Sequence, residues 1–145
     1  MNVLGFEFPD ELHYAVDDQV WARPDGNGNA TVGITSLGIG VAGEIYMCRP
    51  KPVGSEVARG RSIAVVELAK SIVSVKSPVG GTVVAVNQRL GERPELVHLD
   101  PYGEGWLATL RLADFAADAG ALVHGAAVRD AMTRYARLYR IDGAA

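Results

Sequence analysis

SIAVVELAKSIVSVKSPVGGTVVAVN, residues 62–87, decides the fold. Ser62–Glu67, Ile72–Lys76 and residues 82–86 are short runs rich in β-branched side chains, separated by turn signals at ELAK, with its Glu67 and Lys70, and at Ser77-Pro78-Val79-Gly80-Gly81. Such spacing is that of a small sandwich or barrel and not of βαβ units, so the fold class is mainly β. If the first two runs pair antiparallel, Leu68-Ala69-Lys70-Ser71 projects from the end of their hairpin and Lys70 stands on a rigid base.

Working outward, 20–23 and 30–34 flank Pro24-Asp25-Gly26-Asn27-Gly28-Asn29, whose Asp-Gly and Asn-Gly pairs tolerate positive φ; this predicts a hairpin. Ser36–Ala42 reads as a short helical turn and 44–48 as a strand, while Pro50 and Pro52 turn 49–52 into a loop. Val-Gly-Ser-Glu-Val (53–57) and Val-Gly-Gly-Thr-Val (79–83) hint at two related β units. A strand is expected over 106–112. Then Val128, Ala131, Met132, Tyr135, Leu138 and Tyr139 follow helical spacing, with Arg129, Arg134, Arg137 and Arg140 between them or just beyond. That is an amphipathic C-terminal helix, its apolar stripe capping the β core.

The chain has 145 residues, 48% of them hydrophobic, enough for one compact domain with a core. We divide this single domain (1–145) into a β core over 12–112 and a helical C-terminal segment over 113–145. A formal net charge of −3 with no basic cluster argues against nucleic acid or an anionic membrane as main partner. The lone cysteine, Cys48, suits a reducing compartment. The start of the chain lacks a basic region followed by an apolar one, and no stretch approaches a membrane span, so the cytoplasm is the expected location.

No catalytic constellation emerges. His13, His98 and His124 lie far apart without metal-ligand or triad spacing, so structural or solvated roles are expected, and no metal. There is no Gly-x-Ser-x-Gly elbow, and the glycine-rich loop at 24–29 precedes a strand instead of a helix that could hold phosphate. Cys48 ends an apolar run and reads as a small buried hydrophobe. Tyr102 and Trp106, in Asp100-Pro101-Tyr102-Gly103-Glu104-Gly105-Trp106, read as core anchors around a turn.

Lysine is the informative residue. There are three, Lys51, Lys70 and Lys76, against eleven arginines. A turn lysine is ordinarily a solvated charge, but Lys70 combines an accessible amine with a fixed mount, which is carrier geometry; Lys76, at a strand end, is the weaker substitute.

Here the chain resembles the H protein of the glycine cleavage system and its relatives, which carry lipoic acid in amide linkage on one lysine. The resemblance runs from about Leu12 to Leu110, through Val32-Gly33-Ile34-Thr35, Ala42-Gly43-Glu44-Ile45, residues 53–57, Val65-Val66-Glu67-Leu68-Ala69-Lys70, residues 77–87, Pro94-Glu95-Leu96-Val97 and residues 100–107. In that family a glutamate stands three residues before the modified lysine and a glycine eleven after it. Glu67, Lys70 and Gly81 occupy those places. The resemblance therefore implies lipoylation of Lys70, with Glu67 and Gly81 recognised by a lipoate-protein ligase or lipoyl transferase, Gly81 through a tight return that shapes the hairpin. It also implies a barrel-sandwich hybrid of two small sheets. Biotinyl carriers share that architecture but present Met-Lys-Met, which is absent.

Several positions depart from H proteins proper. Gln19-Val20-Trp21 stands for His-Glu-Trp, Ser74-Val75-Lys76 for Asp-Leu/Ile-Tyr, Pro50-Lys51-Pro52 for Leu-Pro-Glu, His98-Leu99 for the asparagine before Asp-Pro-Tyr, and the last helix is arginine-rich. Changed charge around the arm alters partner choice before it alters fold. By resemblance, the pattern points to the H-like lipoate-binding proteins that bacterial sulfur oxidisers use with a heterodisulfide-reductase-like complex. The alternative is a glycine-cleavage subunit that carries the aminomethyl group among the P, T and L proteins: pyridoxal-phosphate decarboxylase, folate-dependent transferase and flavin dehydrogenase. An unmodified interaction module on the same scaffold is the reading of another class; Glu67, Lys70 and Gly81 together argue against it. In each case the chain itself is not an enzyme.

Overall fold

A computed structural model describes residues 1–139. Its strands are β1 (Asn2–Val3), β2 (Phe6–Glu7), β3 (His13–Ala15), β4 (Val20–Pro24), β5 (Asn29–Ile34), β6 (Met47–Pro50), β7 (Glu56–Val57), β8 (Ser62–Glu67), β9 (Ile72–Lys76), β10 (Gly81–Val86), β11 (Ala108–Leu112) and β12 (Val123–His124). Helices α1 (Ser36–Ala42), α2 (Leu96–Leu99), α3 (Phe115–Ala119) and α4 (Ala127–Leu138) lie between and after them. A seven-stranded sheet has the order β12-β3-β4-β5-β11-β10-β7, a three-stranded sheet β6-β8-β9, and β1 pairs with β2; every pairing is antiparallel.

Strands dominate, as the β-branched runs require. The two larger sheets share one core, as expected of a sandwich, but they are open, with no closed barrel among the described residues, and the helices make the arrangement mixed α/β. Inward residues of both larger sheets, among them Val32, Ile63, Val66, Val83 and Leu110, share the main core. Alternation along the strands puts them there, while the residues between them face solvent or, like Tyr14 and Trp21, a second core cluster on the other side of the large sheet. The 20–34 hairpin forms as expected, closed by Asp25, whose amide donates to the Asn29 carbonyl at 2.9 Å and whose carboxylate accepts from the Asn27 and Asn29 amides. The two Val-Gly units meet: Gly81 pairs with Val57 and Thr82 with Glu56.

The strand expected over 44–48 runs instead from Met47 to Pro50. Pro50 is tolerated because β6 is an edge strand, where a missing N–H costs no ladder bond. Residues 113–139 hold two helices with β12 between them, and β12 adds to the large sheet beside β3. On α4 only Val128, Met132 and Ala136 are buried, in or beside a second core cluster with Phe8, Leu12, Tyr14, Trp21 and Leu37. The apolar stripe is narrower than expected, since Leu138 and Tyr139 are exposed; Arg140 lies outside the described residues.

Trp21 fastens this cluster to the 100–106 turn. Its indole N–H donates to the Ile34 carbonyl at 3.1 Å and the Pro101 carbonyl at 3.2 Å, and Gly33 is needed because a Cβ there would enter the indole ring. Tyr102 donates to the Glu7 carbonyl at 2.6 Å and accepts from the Ser36 amide at 2.9 Å, so the aromatic anchors are structural, as expected.

His13 and His124, 111 residues apart, are register partners across β3 and β12. Their rings stack at 4.0 Å with the edge of Phe115 beside His13. Burial first, and the neighbouring His124 second, hold His13 below its ordinary value of 6.5. A folded-state value under the unfolded one means the unfolded chain binds more protons, so this histidine costs stability as pH falls through and below about 6.5. Thermal unfolding between about pH 7 and 5 should therefore fall less steeply in His13→Gln than in the parent. Parallel curves would remove His13 from the account of acid sensitivity.

Candidate functional site

The Lys70 hairpin forms as the alternation predicts. Glu67 pairs with Ile72 and Val66 with Val73, and the Leu68 amide donates to the Ser71 carbonyl at 2.8 Å, leaving Ala69 and Lys70 as the tip. β8 is the central strand of its sheet, with Ile63, Ala64 and Val66 buried. The Tyr46 amide extends the neighbouring strand's support by donating to the Glu67 carbonyl at 2.8 Å. The base of the hairpin is thus held by ladder bonds on both sides of β8 and by its buried face.

Lys70 and Glu67 are both exposed, and neither side chain makes a hydrogen bond or ion pair among the described residues. An unpaired primary amine on a short, anchored turn can be reached by an acylating enzyme, and any arm attached to it pivots about a fixed base. Lys51 and Lys76 are exposed too, but their backbones lie in or directly beside strands: the Lys51 amide donates to the Ile63 carbonyl at 2.8 Å, and Lys76 pairs with Ser62.

Gly81 is elsewhere. It opens β10 in the seven-stranded sheet, between Val57 and Leu112, and the return from β9 is carried by residues 77–80. There the Ser77 hydroxyl donates to the Val79 carbonyl at 2.7 Å and the Gly80 amide donates to Asp118 at 2.8 Å. The expectation that Gly81 makes a tight turn is therefore corrected: its φ is not positive, and the constraint is steric. A Cβ on Gly81 would lie 2.9 Å from the Arg111 carbonyl carbon and nearer still to its oxygen.

Beside the hairpin runs a groove of about 340 Å3, with Val20, Val41, Ile45, Leu68, Val73 and Tyr135 in its walls. It begins at the foot of the Lys70 turn and offers apolar cover to a chain attached there. Its rim at Ile45 is pinned by His98, whose Nε2 accepts from the Ile45 amide at 3.0 Å. Neither this contact nor the His13–His124 stack was visible in the sequence, because partners 53 and 111 residues apart leave no spacing signal.

The remaining candidates are inert. Burial pushes the Cys48 thiol up to about 12, which removes it as a nucleophile near neutrality. Among the described residues no group of three or more His, Cys, Asp or Glu is placed to hold a metal, and no helix is long and apolar enough to cross a membrane.

The chain is similar to known proteins over most of its length. The family model described as glycine cleavage H-protein matches residues 12–135. Glycine cleavage system H protein 2 of Aquifex aeolicus is 39% identical over 121 residues, 83% of this chain and 75% of that protein. The glycine cleavage system H protein of Alteromonas mediterranea is 40% identical over 114 residues, 79% of this chain and 88% of its own length. The crystal structure of a glycine cleavage system H protein from Mycobacterium marinum superposes with a TM-score of 0.72 at 27% identity, over 92% of this chain and all of that one. These relatives carry the glycine cleavage name, so the sulfur-oxidation setting expected from the departures gains no support and gives way to its alternative.

Proposed function

The chain belongs to the glycine cleavage H-protein family, whose members are lipoyl-carrying subunits without catalysis of their own, and from that premise we propose that this protein carries lipoate in amide linkage on Lys70 for glycine cleavage. The observation that carries the assignment is the exposed, unpaired Lys70 amine at the tip of a hairpin whose base is anchored in the core. That environment fits an amide-linked arm: nothing must be displaced to acylate the amine. Once attached, the group supplies a dithiolane that can be opened and closed, and the reactive sulfurs are its own and not Cys48.

The protein's part is presentation and shelter. β8 and β9 fix the base of the arm, the Val41–Ile45–Val73 groove offers cover from water, and Glu67, three residues before the lysine, marks the hairpin for a lipoate-protein ligase or lipoyl transferase. Gly81 contributes through the packing of β10 on β11. The arm serves the pyridoxal-phosphate decarboxylase, the folate-dependent transferase and the flavin dehydrogenase of glycine cleavage, in the cytoplasm. Residues 12–112 supply most of the β core of this one carrier domain, β12 extends it beyond that range, and α3 and α4 cover it.

The test is exchange of bicarbonate into glycine by a pyridoxal-phosphate glycine decarboxylase, with lipoylation verified by intact mass. Lipoylated protein should support saturable exchange and unmodified protein should not. Fully lipoylated protein that gives only the background rate at every concentration would refute the glycine cleavage assignment.

A further inference from the structure

Among the described residues the sheet edges are short or obstructed, with one exception. The outer strands of the seven-stranded sheet, β7 and β12, have two residues each, as do β1 and β2. In the three-stranded sheet, β6 ends on Pro50, which has no N–H to offer, and it lies against the turn at Gln88–Gly91. β9, on the other side, runs for five residues without proline and begins two residues after Lys70.

Hydrogen bonds at the two ends of β9 fix which way its backbone faces. The Leu68 amide donates to the Ser71 carbonyl at 2.8 Å and the Ser77 amide to the Arg61 carbonyl at 2.7 Å. Alternation between those bonds turns the backbone groups of Val73 and Val75 towards β8 and those of Ile72, Ser74 and Lys76 away from it. Among the described residues nothing donates to or accepts from that outward row. Side chains alternate as well. Ile72, 67% exposed, lies with Ser74 and Lys76 on the outer face of the sheet, and Val73, 42% exposed, lies in the wall of the groove.

We propose that β9 is a strand-addition site, and that its occupant is an extended segment of the enzyme that attaches lipoate to Lys70. The inference rests on the acylation of Lys70 for the identity of the occupant, and on the sheet alone for the edge. A strand added here lies about 4.8 Å from β9 and passes beside the lysine, which suits an enzyme whose reaction takes place at Nζ. The three enzymes that the arm serves act on sulfurs at its far end and gain nothing from that proximity. Main-chain pairing supplies the affinity, and every second residue of the added segment falls on the groove side beside Val73, where it meets apolar surface. Lys70 and Lys76, at the two ends of the edge, oppose its pairing with a second copy of the chain.

The test uses the full-length chain with a purified lipoate-protein ligase, lipoate and ATP. In the Lys70→Arg chain, where the complex can form without turnover, hydrogen exchange at the Ile72, Ser74 and Lys76 amides should slow by about tenfold or more when the ligase is added. In steady-state acylation, Ser74→Pro should raise KM about tenfold over Ser74→Ala, which keeps the N–H, with no change in kcat. The proline removes no ladder bond, because that N–H faces away from β8, so thermal unfolding of the two variants should match closely. Unprotected amides, or equal KM in the two folded variants, would overturn the proposal. Protection that rises with the concentration of the chain alone would give the edge to a second copy and overturn it too. Protection by the ligase with no adduct on Lys70 of the parent would refute the carrier reading and keep the edge as a docking site; an adduct on Lys70 without protection would do the reverse.

Discussion

Lys70→Arg should abolish the lipoyl adduct while leaving the fold intact. Arginine keeps the positive charge and nearly the length of lysine, but its guanidinium stays protonated near neutral pH and cannot serve as the acylated amine. Lys70 makes no hydrogen bond or ion pair among the described residues, so the substitution should shift stability by no more than about 0.5 kcal/mol. Intact mass after co-expression with a lipoate ligase would show the adduct on the parent and none on the variant, with matching thermal unfolding. An adduct that persists would move the site to Lys51 or Lys76, the only other lysines, and both would have to be modified on sheet backbone and not on a projecting turn.

Gly81→Ala should be the most damaging small substitution in the molecule's β core. The added methyl group meets backbone and not a side chain that could swing away: the Arg111 carbonyl lies directly in its path. β11 cannot retreat, because it is hydrogen-bonded to β5 on its far side as well as to β10. Overpacking against fixed backbone should cost about 3 kcal/mol, which for a domain of this size lowers the unfolding midpoint by roughly 10 °C. The same variant separates two roles for the glycine. At a temperature where it is fully folded, its lipoylation rate should match the parent; a large loss of lipoylation with unchanged stability would show that the attaching enzyme reads this position and that the steric account is wrong.

These two residues also mark how far the sequence could be read. Glu67 and Lys70 were legible because the hairpin is local: two β-branched runs with period-two alternation flank a four-residue break, and everything that positions Lys70 lies within a few residues of it. Pro78 and two adjacent glycines are turn chemistry and point to a turn at Gly81, whereas its true constraint comes from Arg111 on a strand 30 residues later. Long-range pairing hid β12, the stacked histidines and the order of the large sheet for the same reason. Helical spacing overextends the α4 stripe, because it says which residues share a face and not where the surface covering that face stops; it stops before Leu138. The placing of charge was hidden likewise: basic residues are spread singly over 47–76, and the register of β6, β8 and β9 sets Arg49 and Lys76 on one face.

The alternation in β8 and β9 has an evolutionary consequence. Every residue that binds the hairpin to the core points inward, so the outward positions next to the arm, Ile72, Ser74 and Lys76, can mutate without a stability debt. Substitution at Ser74 or Lys76 can therefore change which enzymes the carrier visits while the scaffold keeps its stability.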